Sequence, residues 1–221
     1  MFTKAFPIVE VMNEYVRLVG TFTRYPSDFR KRIHDEFRKQ KKVVNLKFDI
    51  LKRESLSYIK DYGCRVLHMS SDVFKNDTLC IEGNNGEIEY LSMDEIKKIL
   101  RPNEGRLNVE VVVLAIPDCL ELAQAFVDLG VPHVIAFDFK QSLLSTFMDN
   151  IYTLPKRYDY IYDFCVEFYK GLILEKTVYQ AWKDAKPRLN DGLRKINDKI
   201  SNKLLQKEDV GEGPILFPIN G

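Results

Sequence analysis

Apolar positions along this chain follow two periods that take turns. Val109-Glu-Val-Val-Val-Leu-Ala-Ile116 is an almost unbroken apolar run, the pattern of a parallel strand covered on both faces. It passes through Pro117-Asp118 into a stretch with helical spacing over 118–129, halted at Gly130, and His133–Phe137 is again a strand. The same rhythm precedes it. Tyr15–Thr21 predicts a strand ending near Pro26, and Ser27-Asp28 can cap a helix from Asp28 to Lys42 with Phe29, Ile33 and Phe37 on one face. Val43–Leu51 predicts a second strand, Glu54–Tyr62 a helix closed by Gly63, and Cys64–Met69 a third strand.

Between the third and fourth long strands the rhythm breaks. Thr78–Glu82 and Glu87–Leu91 flank Gly-Asn-Asn-Gly, a strong hairpin signal. Ser92-Met-Asp-Glu95 fits a capping box opening a helix to Leu100, which Arg101-Pro-Asn-Glu-Gly105 ends. Beyond residue 139 the chain is mostly helical, over Leu143–Ile151, Tyr158–Leu174, Val178–Ala185 and Leu189–Gln206. The alternation up to that point predicts an α/β fold: helices around a mostly parallel central sheet in three layers, with a small β-hairpin and a helical C-terminal extension. Residues 1–14 are expected to form an arm whose order depends on docking, 15–187 a single domain and 188–206 a C-terminal helix. Residues 207–221 are expected to be an extended tail that docks on its own domain or on a partner, with Pro214, Ile215, Leu216, Phe217 and Pro218 as anchors.

Charge narrows the partners. With 33 basic against 32 acidic residues the net charge is +1, which gives no whole-protein field for nucleic acid or anionic lipid. The basic run on the first helix, from Arg30 to Lys42, reads as a solvated surface, with an anionic partner as the sharper alternative. No apolar run approaches the roughly 20 residues of a membrane helix. The N-terminus lacks a signal-peptide layout, so a cytoplasmic protein is expected. Cys64, Cys80, Cys119 and Cys165 form no C-x-x-C pair, and three histidines offer little to a zinc site. Asp72, Asp118 and Asp138 each follow a strand, but no phosphate-binding glycine loop accompanies them and they read as loop-end caps. No cofactor or metal is expected.

Three passages resemble the CHAT domain family of caspase-like cysteine peptidases. Leu79-Cys-Ile-Glu-Gly-Asn-Asn-Gly-Glu-Ile-Glu-Tyr-Leu-Ser-Met-Asp-Glu-Ile resembles the family's hairpin and the helix start after it. Ala125-Phe-Val-Asp-Leu-Gly-Val-Pro-His-Val-Ile-Ala is similar to its Gly-Val-Pro signature, and Phe164 to Ala185 to the helix pair that closes the domain. Together the resemblance spans about residues 15–187. It implies a caspase-like three-layer fold, with a histidine after the third strand and a cysteine after the fourth forming a catalytic dyad.

Both dyad positions depart from the family pattern. The catalytic histidine falls on Asp72, with His68 at the earlier, supporting position; the nucleophile falls on Pro117, with Cys119 two residues on. Proline has no nucleophile, and an Asp72 carboxylate would oppose a neighbouring thiolate. The expectation is therefore a catalytically inactive, CHAT-like pseudo-peptidase serving as a scaffold or adaptor subunit among other proteins. One alternative is an active peptidase with a displaced Cys119/His68 dyad, Cys119 lying near a helix N-terminus whose dipole favours a thiolate. Against it, two residues turn a helical side chain by about 200°. A second alternative is a small-molecule module in the crevice at the carboxyl ends of the strands.

Overall fold

The computed structural model describes residues 6–12, 25–39, 44–62, 65–70, 74–75, 78–102, 107–116, 119–137, 155–201 and 214–218. Strand β1 (Phe6–Met12) lies between β2 (Val44–Ile50) and β3 (Val66–Ser70), and beyond β3 follow β7 (Val111–Ala115), β8 (His133–Phe137) and β9 (Pro214–Pro218) in one six-stranded sheet. Pairs β1–β2, β1–β3, β3–β7 and β7–β8 are all parallel. The chain thus steps from β1 to β2, returns across β1 to β3, and continues outward to β7 and β8. Such a reversal, between β1 and β3, is where open α/β sheets form a crevice. The protein is a mixed α/β chain.

A strand at Phe6–Met12 replaces the expected arm over 1–14. Pro7 masked the pattern, because proline donates no ladder hydrogen bond. The register accommodates it: Pro7 pairs only with Asn45 of β2, and pairing with β3 begins one residue later, at Ile8 with Val66. The strand expected at Tyr15–Thr21 and the helix expected at Leu143–Ile151 lie outside the described residues.

Two compact units divide the chain. The first holds residues 1–20, 43–137 and 215–221; the second holds 21–42 and 138–214. In the first, helices α2 (Arg53–Tyr62), α3 (Met93–Leu100) and α4 (Leu120–Asp128) supply the crossovers after β2, β3 and β7. Leu56, Ile59, Ile96, Leu100, Leu122 and Phe126 from these helices join Leu67, Met69, Val112, Leu114, Val134 and Ala136 of the sheet in one buried cluster. Strand side chains alternate, so the neighbours Val66, His68, Ser70, Val111, Val113 and Ile135 belong to the other face, where they too are buried.

The sequence between β3 and β7 forms a second, antiparallel sheet, β4 (Phe74–Lys75), β5 (Thr78–Glu82) and β6 (Ile88–Ser92). The expected hairpin is present. Gly83 N–H donates to the Glu87 carbonyl (2.7 Å), Gly86 N–H donates to the Gly83 carbonyl (3.1 Å), and Gly86 has φ +81°. This is a three-residue loop ending in a left-handed residue, a conformation glycine adopts without strain. The expected capping box also forms: Ser92 accepts from Glu95 N–H, and the Glu95 carboxylate accepts from Ser92 N–H.

In the second unit, α1 (Tyr25–Lys39) begins with Pro26 in its first turn, where a missing N–H costs nothing, and α5 (Pro155–Ile173) and α6 (Val178–Ser201) form a helical hairpin. An Arg32–Asp163 ion pair (2.5 Å) joins α1 to α5. A Cβ built on Gly171 would stand 2.7 Å from Ala181 Cβ, so glycine sets how closely α5 and α6 approach. The predicted break between Val178–Ala185 and Leu189–Gln206 is absent. Helix α6 runs through Pro187, and the boundary placed after 187 falls inside it.

Candidate functional site

Parallel pairing sets the carboxyl ends of β3 and β7 side by side. Ser70 of β3 and Ala115 of β7 are the last residues in register, and Asp72 and Pro117 follow each by two positions. Asp72, Pro117, Asp118 and Asp138 lie outside the described residues, as does Cys64. His68 and Cys119 are described.

Cys119 is the N-cap residue of α4, with φ −98° and ψ 25° and no side-chain capping bond. It is fully buried within the core cluster under α2, α3 and α4. Its Sγ sits 3.9 Å from the Leu114 carbonyl, a weak thiol hydrogen bond back toward β7. The side chain thus turns inward, away from the strand ends.

His68 occupies the other side of the sheet. Its chain neighbours Leu67 and Met69 belong to the cluster that holds Cys119, so strand alternation sends the imidazole to the opposite face. There Nε2 lies 3.1 Å from Ser70 Oγ, two residues along the same strand. In register, His68 stands beside Glu10 of β1 and Val113 of β7. Complete burial pushes its pKa down to about 3, so the ring is neutral. The structure does not bring Cys119 and His68 together, since the sheet itself separates them.

The other histidines are also distant in role. His133 opens β8 opposite Val111, at the amino end of the parallel strands, whereas Cys119 follows their carboxyl end. Four residues of strand, about 13 Å, separate the two levels. Its Nδ1 is buried with no hydrogen-bond partner among the described residues, and burial lowers its pKa against the opposing pull of Glu110. His34 is exposed on α1. Cys80 and Cys165 are buried thiols like Cys119.

Outside these positions, Trp182 stacks at a tilt on exposed Tyr179, centroids 5.9 Å apart, with Lys186 Nζ 4.9 Å above its ring. Pro214–Pro218 form β9, the strand beside β8 at the sheet edge, so of the two docking places open to the tail the structure has the chain's own domain. Two groupings escaped the sequence reading. Ser70 partners His68, and the i, i+2 spacing of a strand carried that signal. Arg53 reaches both Glu89 (3.0 Å from Nε) and Glu95 (3.2 Å from Nη2), tying α2 to the hairpin and its capping box. Their separation of 36 and 42 residues left no local signal.

Among the described residues no group of His, Cys, Asp and Glu is arranged to hold a metal, and no helix is long and apolar enough to cross a membrane. Comparison with known proteins returned no matching family model and no matching curated sequence.

Proposed function

We propose that this chain is a caspase-like domain of the CHAT type that lacks peptidase chemistry and serves as a scaffold or adaptor within a larger protein assembly. The fold part of the reading, a three-layer domain, is supported by the adjacency of β3 and β7, whose carboxyl ends lead to the two dyad positions. One observation carries the loss of chemistry. The cysteine nearest the nucleophile position, Cys119, is sealed in the core on one face of the sheet, while His68 is sealed on the other. A thiolate nucleophile needs an imidazole within hydrogen-bond reach and a path for the substrate carbonyl, and Cys119 has neither from His68 or His133. A fold kept without its reacting pair serves binding.

The test is thiol reactivity in the native protein. Folded chain is incubated with peptidyl acyloxymethyl ketones and digested for mass spectrometry. Cys119 is expected to stay unmodified until denaturant is added, and Cys119→Ala is expected to leave partner binding unchanged. Stoichiometric labelling of native Cys119, with proteolysis lost in Cys119→Ala, would overturn the reading.

A further inference from the structure

Among the described residues the second sheet ends in an open edge. Among the described residues β6 pairs only with β5, and the hairpin loop fixes which of its backbone groups face outward. Gly83 and Glu87 form the hydrogen-bonded pair closing the loop. Antiparallel ladders alternate, so Glu89 and Leu91 bond inward to β5, while Ile88 and Tyr90 turn their N–H and C=O groups away from it. Ile88 and Tyr90 are 38% and 58% exposed, with their side chains on one face of this edge.

Charge selects what can pair there. From Glu82 to Glu95 the hairpin and helix start carry five carboxylates and no lysine or arginine. Arg53 engages Glu89 and Glu95, and Lys52 lies 3.7 Å from Glu82. Among the described residues Glu87 and Asp94 have no cationic partner, and both are exposed at the two ends of the open edge. Edge strands commonly protect themselves with charge, and here the charge is of one sign. A second copy would set these carboxylates against themselves, which like-charge pairing disfavours. A basic strand would meet opposite charge at both ends.

We propose that β6 is a docking edge for an extended, basic segment of another protein. The segment adds as a strand along Ile88–Tyr90, lays an apolar side chain beside those two, and carries lysine or arginine near Glu87 and Asp94. Between Glu87 and Asp94 runs the five-residue strand Ile88–Ser92, about 17 Å of extended chain. This surface belongs to the second sheet, so it stands or falls independently of the dyad positions.

The experiment uses the full chain and capped nine-residue peptides of alternating threonine and valine, ended with paired lysines or with paired glutamates. Fluorescence anisotropy measures binding, and amide hydrogen exchange reads Ile88 and Tyr90. The lysine-ended peptide is expected to bind at least about tenfold tighter than the glutamate-ended one, and to slow exchange at both amides. Methylating its alternate backbone nitrogens is expected to abolish binding. Tyr90→Pro removes an outward donor without breaking a bond to β5, and is expected to abolish binding while far-ultraviolet circular dichroism is retained. Should that variant fail to fold, Glu87→Lys with Asp94→Lys decides, and is expected to reverse the peptide preference. Any of the following overturns the proposal: no binding at millimolar peptide, binding indifferent to these substitutions, or protection of the two amides by self-association of the free protein.

Discussion

His68 is a titratable group buried out of reach of water. It folds neutral, with a pKa pushed down to about 3 by burial, whereas an unfolded imidazole titrates near 6.5. Between those values the unfolded chain binds a proton that the folded chain refuses. Stability from this group is therefore fully present above pH 6.5 and is lost as the pH falls toward 3, at about 1.4 kcal/mol per pH unit. His68→Gln, which keeps a polar atom for Ser70, is expected to flatten the stability profile over that window relative to the parent chain. Urea midpoints at pH 7, 6, 5 and 4 check it, and parallel profiles would mean that the imidazole charges in place. At this scale the sequence was half legible. Leu67-His68-Met69 announces a strand whose polar member faces away from its apolar neighbours, so the face of His68 follows from period two. The direction of Cys119 does not, because it depends on the backbone turn by which α4 leaves β7.

Elements whose hydrogen bonds are local were the legible ones. The hairpin at 78–92, the capping box at Ser92 and the crossover from β7 through α4 to β8 are written in contiguous residues, and they appear where the pattern puts them. Proline obscures the pattern twice: its local cost is real, but each site tolerates it. Pro7 sits where β1 has only one paired neighbour, and Pro187 sits inside α6 at an exposed position. An interior helical proline removes the bond to the carbonyl four residues back and crowds it, at a cost of about 3 kcal/mol. Part of that is offset because proline also restricts the unfolded chain, by about 0.4–1 kcal/mol. Pro187→Ala is thus expected to stabilise the chain by about 2–2.6 kcal/mol, visible as a rise in the urea midpoint. If two helices met at residue 187 instead, the substitution would leave stability unchanged or lower it.

Across the whole molecule the sheet is assembled from the two ends of the sequence, and long-range pairing of that kind leaves no local trace. Strand β1 enters between β2 and β3, and β9 closes the order beyond β8. Neither segment has a neighbour in sequence that completes it, so the sequence alone sets both outside the domain. For β9 the consequence is energetic. His133-Val-Ile-Ala-Phe137 is buried from Val134 onward, so without Pro214–Pro218 beside it β8 becomes an open, apolar edge. Such an edge is a template for pairing with other chains, and β9 guards against that with proline at both of its ends. Ending the chain at residue 213 is therefore expected to lower the melting temperature and to promote concentration-dependent aggregation, followed by light scattering. Adding back a synthetic peptide of residues 214–221 is expected to reduce that aggregation by occupying the vacated edge. A truncated chain that melts and scatters like the parent would instead return the tail to the role of a peptide for a partner.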